Sequence, residues 1–491
     1  MKPIVLSILV LAGAAAVAED PFYLTGECST DTTISSSTNA TVTLDGWTSS
    51  GTLYLTTDNA DGVEFTIKEK KNSVNKIEVK NNQPAIDAYG CDLVFSGKGE
   101  GKFISTKKVS KGGEGHEGII VCRNLTVDGG DTTVKFDQDK PDTACVLVYG
   151  DFLQKDKDSK FKVSMPEASL TESNSFTGVQ MATKNTSFTI KKGSFEANIG
   201  GVKSSGVALK KTCTANLNGG NFTVTLKGPQ VRAINGGTIN FAGTTVKSEI
   251  HEDYTNNLAG VAKAKLFNAE KAIAISGGEI DLDVQSVDTE LLCCDDSMTI
   301  TGGSISLVAG DDCINVQTNL VIDGGMIYAE SLYGDGIDSN GDITINDGLV
   351  LAYALTGEEK GLDVNNAGVS SEEDGVLTIN GGTVVMLGGP DSKFQGKDVF
   401  NQTCYAKTGE SAETYSDKFL SLVGTNKYGS VSTTVVHLPE ITNDYCTVLF
   451  TVPGFPGVDG ISFRESKPTR GKLGFHKVWV LNPFGTMCIM Q

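Results

Sequence analysis

The sequence predicts an all-β protein, a right-handed parallel β-helix (a solenoid) that ends in a small C-terminal β cap or module. Three observations support this fold class: a glycine-rich turn recurs along the chain, short stretches of alternating apolar residues follow the turns, and helical periodicity is scarce. The clearest turns lie at 300–303, 322–325, 345–348 and 379–382. A unit of about 22 residues with two or three short strands buries its apolar face only by stacking on neighbouring units.

A second motif lies a few residues ahead of many turns and keeps apolar and polar positions in register. Its fullest copy is Gly-Ile-Asp-Ser-Asn-Gly-Asp at 336–342, with related copies at 85–91 and 361–365. A propeller fits less well because its blades are typically about 40–45 residues long, and a leucine-rich repeat needs a different pattern. Aligning the copies produces two rows of equivalent positions. The apolar row is Leu292, Ile314, Ile337 and Leu362, and the polar row is Cys293, Asn315, Asp338 and Asp363.

Three segments are predicted along the chain. Residues 1–18 are typical of a cleaved secretory signal peptide, since Lys2 is followed by a short apolar stretch and a small-x-small site. Residues 19–388 form the β-helix, with irregular early coils, and residues 389–491 form the β-rich cap or module. No later stretch is long enough to span a bilayer. The sequence therefore predicts a secreted protein, extracellular or at the cell surface, without a transmembrane segment.

Composition narrows the classes of partner. The chain carries 60 Asp and Glu against 41 Lys and Arg, and its formal charge of −19 repels nucleic acid but leaves cations and neutral or cation-bridged ligands as candidates. In an exported chain the 11 cysteines permit disulfides, although their spacing does not reveal the pairing. Sequons predict a glycoprotein in a host that modifies them, and they lie at Asn39, Asn124, Asn185, Asn221 and Asn401.

Acidic residues follow the polar row of the alignment and predict a calcium site. With Ile337 pointing inward, Asp338 points outward, and coils about 4.8 Å apart align such side chains into a ladder. Stacked carboxylates repel unless a cation or protons neutralise them, and Ca²⁺ accepts six to eight oxygen ligands. A solvated acidic edge is the alternative. The candidate ligands are Asp311, Asp312, Asn315, Asp335, Asp338 and Asp363.

Three tyrosines are candidates for contact with a sugar. Tyr328, Tyr333 and Tyr353 lie beside the acidic ladder, and an amphipathic ring offers both an apolar face and a hydroxyl. The period-2 alternation of these strands could equally bury one or more of the rings. Together with Asp311, Asp312 and Asn315, they form the predicted ligand-binding set.

The repeated pattern of Gly-Ile-Asp-Ser-x-Gly-Asp, a strand and Ile-x-Gly-Gly resembles the secreted carbohydrate-binding parallel β-helix proteins, which are related in fold to pectate lyases. The resemblance is strongest over 266–389 and weaker back to residue 85. It implies calcium sites and binding of acidic polysaccharide such as polygalacturonate, with the aspartates and Asn315 named above as contacts. Cys293 and Cys294 depart from the pattern, because an acidic or small residue is expected in that coil.

Two other functions stay open. Residues 310–314, Gly-Asp-Asp-Cys-Ile, are similar to the paired-Asp motif of polygalacturonases, but the His-Gly pair and the Arg-Ile-Lys that complete the signature are missing. A lyase would need a base beside the calcium, for which Lys360 is nearest in sequence. The second alternative is a structural or adhesive surface protein, an adhesin whose coils form a stiff rod. The sequence favours calcium-dependent, non-catalytic polysaccharide binding.

Overall fold

The computed structural model describes most of the chain in segments. The predicted signal peptide at 1–18 lies outside the described residues. Within them no α-helix occurs, which confirms the all-β prediction, and short 3-10 helices lie at Ala412–Thr414 and Val458–Gly460. The described residues are 22–59, 62–79, 83–105, 118–136, 144–164, 176–250, 261–364, 375–389, 394, 396–425, 428–464, 478–481 and 487–488.

One parallel sheet of 13 strands runs along the chain. Each of its strands pairs in parallel with the next one in sequence. A coil is the segment that follows one strand of this sheet and includes the next one. The strands are Thr32–Ser35, Leu53–Thr56, Ile86–Ala88, Gly118–Cys122, Ala144–Val148, Thr177–Met181, Ser205–Ala208, Arg232–Asn235, Lys265–Ala269, Glu290–Cys294, Ile314–Val316, Ile337–Ser339 and Leu362–Asp363.

A second sheet of 25 strands takes up most of the remaining strands. Many coils contribute two strands to it, separated by the glycine turn. Its strands are Phe22–Cys28, Ala40–Ser49, Glu64–Glu69, Val74–Val79, Asp92–Ser105, Leu125–Phe136, Phe152–Gln154, Lys160–Ser164, Ser187–Ile190, Ser194–Gly200, Thr214–Leu217, Asn221–Lys227, Thr238–Ile250, Ile273–Val284, Met298–Ile300, Ser304–Ala309, Leu320–Ile322, Met326–Ser331, Ile343–Ile345, Leu349–Ala354, Leu377–Ile379, Thr383–Gly388, Val399–Phe400, Tyr405–Ser411 and Tyr445–Thr451.

The register shows how one coil lies on the next. The strand Leu320–Ile322 pairs in parallel with Met298–Ile300 and Ile343–Ile345, while Met326–Ser331 pairs with Ser304–Ala309 and Leu349–Ala354. Each strand therefore neighbours its equivalent in the coil before and after, as the repeat requires. Long parallel sheets with this pairing are compatible with a parallel β-helix.

The interior is apolar because equivalent inward positions stack. Many inward side chains are completely buried, and a continuous series of aromatic ring contacts runs from Phe95 to Phe267. Phe195, for example, stacks on Phe161 with ring centroids 6.0 Å apart and on Phe222 at 5.3 Å. Burial of this surface stabilises each coil only in contact with its neighbours.

The glycine turns require glycine for a conformational reason. Gly303, Gly325, Gly348 and Gly382 have φ values of +97°, +92°, +104° and +80°. A Cβ on Gly348 would also lie 2.8 Å from the Gly325 carbonyl oxygen in the preceding coil. The turn thus combines a left-handed backbone with close approach between coils.

We expect Gly348→Ala to lower the free energy of unfolding by about 1–3 kcal/mol, the usual cost of a sparsely populated backbone conformation. Gly396→Ala is the matched control, because Gly396 has no positive φ and its Cβ would meet nothing within 4 Å. Urea unfolding of both variants, followed by circular dichroism, measures the difference. Equal unfolding midpoints for the two variants would contradict this account of the turn.

The pairing becomes antiparallel after the last parallel coils. Tyr445–Thr451 pairs antiparallel with both Thr383–Gly388 and Tyr405–Ser411. A separate five-stranded antiparallel sheet follows, although the domain boundary at residue 389 stays a prediction. Its strands are Phe419–Thr425, Val431–His437, Ile461–Arg464, Val478–Leu481 and Met487–Cys488.

The cysteines form no disulfide among the described side chains. Ten thiols are free there, and most are buried. Burial raises the pKa of Cys145 and of Cys122, which fits inert interior positions rather than reactive ones. The disulfides that the sequence permits are therefore not formed by these residues. Within the described segments, no helix has the length and apolar character needed to cross a membrane.

Candidate functional site

On the last strands of the 13-stranded sheet, the residues of the predicted polar row lie side by side, as the sequence alignment indicated. Asn315 pairs with Cys293 and Asp338, and Asp338 pairs in turn with Asp363. The adjacent row of Leu292, Ile314, Ile337 and Leu362 is buried, whereas Asn315, Asp338 and Asp363 are half-buried. The predicted register of these strands is confirmed.

Three carboxylates converge on this face. Asp335, Asp338 and Asp363, named the acidic triad from here on, each offer one oxygen, and these oxygens all lie within 4.8 Å of one another. Asp335 and Asp338 belong to one coil and Asp363 to the next. Asp335 is 8% exposed, so the triad has one buried inner member and two half-buried members.

Lys360 holds two members of the acidic triad in place. Its backbone N–H donates a hydrogen bond to Asp335 Oδ1 over 2.5 Å, and its ammonium group Nζ contacts Asp363 Oδ1 at 2.7 Å. The Lys360 and Asp363 side chains are both 16% exposed, which weakens solvent screening of this ion pair. One ammonium group against three carboxylates leaves two negative charges when all three are ionised.

The preceding coil supports the triad rather than joining it. Asp312 Oδ1 accepts a hydrogen bond from the Asp335 backbone N–H at 2.8 Å, and Asp312 Oδ2 accepts one from Asn315 Nδ2 at 2.7 Å. Both oxygens of Asp312 are therefore engaged, as is the Asn315 amide. Asp311 lies nearby, since a Cβ on Gly334 would be 2.4 Å from Asp311 Oδ1. Of the six predicted metal ligands, the structure gathers Asp335, Asp338 and Asp363, whereas Asp311, Asp312 and Asn315 lie beside them.

The electrostatics of the site follow from burial and like charge. Burial, with Asp312 and Asp363 nearby, raises the pKa of Asp338 to about 8. Burial and the Asp363 carboxylate raise the pKa of Asp335 well above its usual range. Burial also raises the pKa of Asp311 and of Asp312 to about 6. Without a bound cation, the cluster therefore holds protons at neutral pH.

We expect the metal-free protein to lose stability as the pH rises. The usual aspartate pKa is about 3.9, and folding raises that of Asp338 to about 8, so between these values the folded chain binds more protons than the unfolded chain. The free energy of unfolding should fall from pH 5 to pH 8 and level off above the folded pKa. Urea unfolding with chelator measures this slope, and Asp338→Asn should reduce it. An Asp338→Asn slope equal to that of the wild type would contradict the prediction.

The structure buries two of the three predicted sugar-contacting tyrosines. Tyr353 is 0% and Tyr328 is 9% exposed, and their rings meet edge to face with centroids 5.5 Å apart. Both belong to a hydrophobic cluster that includes Tyr415 and Phe450. The prediction that these two rings form a sugar platform is wrong, because C-terminal residues cover that face. Tyr333 is 61% exposed and remains available for contact with a ligand.

A further set of charged residues on this face was not singled out from the sequence. Glu290 and Lys265 are paired across neighbouring strands, and Lys265 Nζ lies 2.8 Å from Glu290 Oε1. The Cys293 thiol donates to Glu290 Oε2 over 3.0 Å. The alignment contained the signal, since Glu290 precedes Leu292 by the two positions that separate Asp335 from Ile337. Cys293 thus supplies no carboxylate at this position of the row, and the ammonium group of Lys265 neutralises the neighbouring Glu290.

Comparison with protein-family models, with curated proteins and with solved structures finds no match to this chain. The carbohydrate-binding family indicated by the repeat therefore stays a prediction. The long parallel sheets that the resemblance implies are present.

Proposed function

We propose that this is a secreted or surface-displayed, non-catalytic polysaccharide-binding protein in which Ca²⁺ at the acidic triad bridges to acidic groups of a glycan such as polygalacturonate. The observation that carries the proposal is the convergence of three carboxylate oxygens within 4.8 Å, drawn from two successive coils. An acidic chain and an acidic glycan repel each other, and a cation bound between them attracts both partners.

Calcium suits the triad in both charge and ligand type. The two negative charges that remain after pairing with Lys360 match a divalent cation, and every candidate ligand is an oxygen. Lys360 occupies one oxygen each of Asp335 and Asp363, which leaves coordination positions for water, backbone carbonyls or a glycan carboxylate. The half-buried position of Asp338 and Asp363 lets such a ligand reach the ion.

The handedness of the coils and the role of the C-terminal cap belong to the same proposal. Parallel strands joined by crossovers are almost always connected with right-handed sense, so we infer that the coils wind as a right-handed parallel β-helix. The antiparallel strand Tyr445–Thr451 pairs with Thr383–Gly388 near the end of the parallel coils. A C-terminal cap of this kind protects a sheet edge that would otherwise pair with other chains.

Catalysis is less well supported by the same geometry. The paired-Asp motif of polygalacturonases is incomplete in this chain, and both carboxylate oxygens of Asp312 accept hydrogen bonds, from the Asp335 backbone N–H and from Asn315 Nδ2. A lyase base must be free of its proton, yet Lys360 is ion-paired with Asp363 in a half-buried position. The arrangement fits a shared cation better than an acid and base pair.

Affinity electrophoresis of the purified protein tests the proposal. We expect the protein to be retarded in gels that contain polygalacturonate and calcium, to migrate freely with chelator, and to release no unsaturated or reducing ends. Product formation would support the enzyme alternative. Unchanged migration in both gels, without products, would contradict acidic-polysaccharide binding and favour a structural or adhesive rod.

A further inference from the structure

A second acidic residue, far from the triad in sequence, is buried inside the early coils. Glu69 ends the strand Glu64–Glu69, and its backbone pairs with Leu44 on one side and Gly97 on the other. Leu44 is fully buried, so Glu69 occupies a position that an apolar side chain takes in the preceding coil. Its side chain is 1% exposed, and neither carboxylate oxygen has a hydrogen-bond partner.

Glycines of the next two coils make room for this carboxylate. A Cβ on Gly101 would lie 2.0 Å from Glu69 Oε1, and a Cβ on Gly130 would lie 2.5 Å from Glu69 Oε2. Gly97 has a φ of +106°, and its Cβ would lie 2.1 Å from the Glu69 carbonyl oxygen. The Glu69 carboxylate therefore projects along the interior, across the coil of Gly101 towards that of Gly130.

Another unpartnered oxygen lies beside this path. Thr132 is 0% exposed, its hydroxyl has no hydrogen-bond partner, and its backbone pairs with that of Gly101. The Gly99 carbonyl oxygen lies 3.5 Å from the Cβ position of Gly130 and so faces the same region. The interior thus presents several oxygen ligands around one carboxylate, and leaving such groups unpaired in an apolar core costs free energy.

The surrounding charges are mostly negative. Burial raises the pKa of Glu69, and the nearby carboxylates of Asp131 and Glu100, whose backbones pair on adjacent strands, raise it further. The ammonium groups of Lys70 and Lys102, which neighbour Glu69 and Gly101 in sequence, are already engaged: Lys102 Nζ lies 3.1 Å from Glu100 Oε2, and Lys70 Nζ lies 2.7 Å from Asp45 Oδ2. The region has the charge and the ligand atoms for a cation rather than for an anion.

We propose that Glu69 is the central ligand of a buried Ca²⁺ site in the early coils, with the Thr132 hydroxyl and the Gly99 carbonyl as further oxygen ligands. Ca²⁺ accepts this mixture of carboxylate, hydroxyl and carbonyl oxygens. The ion would link three successive coils through residues on three strands. This site is separate from the acidic triad and does not depend on the polysaccharide proposal.

Tb³⁺, which replaces Ca²⁺ at oxygen-rich sites and luminesces when a nearby tryptophan is excited, provides the probe. Trp47 is 3% exposed and lies near the proposed site. Its backbone N–H donates a hydrogen bond to Asn75 Oδ1, and the backbone of Asn75 pairs with that of Gly101. We expect tryptophan-sensitised Tb³⁺ emission that Ca²⁺ displaces, and we expect it to be lost in Trp47→Phe and Glu69→Gln. Glu64→Gln, an exposed glutamate on the same strand, is the matched control and should retain it.

Counting the bound Ca²⁺ ions by titration calorimetry provides a second test, which does not require the Glu69→Gln variant to fold. The double variant Asp338→Asn, Asp363→Asn lacks two triad ligands but should still bind one Ca²⁺ and keep the Tb³⁺ signal, and adding Thr132→Val should weaken that binding. A double variant that binds no ion, or a folded Glu69→Gln protein with the wild-type signal, would overturn the proposal. Glu69 would then be a buried protonated acid. Loss of glycan binding alone would count against the proposal for the acidic triad and not against the Glu69 site.

Discussion

Replacing Asp338 and Asp363 together by asparagine is expected to abolish calcium-dependent retardation in polygalacturonate gels. The two substitutions remove two of the three carboxylates whose oxygens lie within 4.8 Å, and they keep the side-chain size. The number of charged ligands sets calcium affinity over several orders of magnitude, so we expect the affinity of this site to fall by about 100-fold or more. Titration calorimetry and the retardation gel measure the two effects.

Asp295→Asn with Asp296→Asn is the matched control for the double variant. These aspartates are exposed and adjacent, and replacing them removes the same two charges outside the triad. Asp338→Asn alone leaves the contact between Lys360 and Asp363 in place, so it separates the loss of a metal ligand from the loss of an ion pair. Wild-type retardation of the triad variant, with circular dichroism confirming the fold, would show that the triad does not bridge to the glycan.

The largest expected effect on stability comes from the interior aromatic series. Phe195→Ala should lower the free energy of unfolding by about 3–5 kcal/mol, the usual range for deleting a buried phenylalanine. Phe195 is 0% exposed and contacts four rings, so coils on both sides would lose packing. The ring centroids lie 6.0 Å from Phe161, 5.3 Å from Phe222, 5.2 Å from Phe188 and 6.0 Å from Phe152.

Two further variants calibrate this prediction. Phe195→Leu keeps most of the apolar volume and should cost less than Phe195→Ala, whereas Val458→Ala alters a residue that is 66% exposed and should have little effect. Urea unfolding monitored by circular dichroism measures all three. A Phe195→Ala midpoint equal to that of Val458→Ala would mean that the stacked interior does not determine the stability of these coils.

The sequence was sufficient for the register of the late coils because each coil repeats the same inward and outward positions. The glycine turns set the coil length, and a one-residue slip would expose an apolar row, so Ile314, Ile337 and Leu362 had to align. It was insufficient for Tyr328 and Tyr353. Both faces of the strand Leu349–Ala354 are buried, and residues more than fifty positions later, such as Tyr415 and Phe450, cover the tyrosine rings.

The sequence by itself determined the all-β class, the parallel stacking and the outward row that contains Asp338 and Asp363. Only the tertiary structure decided which carboxylates meet. Strict alternation from the inward Ile337 would turn Asp335 inward, yet Gly336 and Ile337 are both buried and the strand begins only at Ile337. The bend before that strand brings Asp335 beside Asp338 and Asp363, while Asp312 is occupied by hydrogen bonds. Such convergence depends on backbone bends and competing donors, which a repeat pattern does not encode.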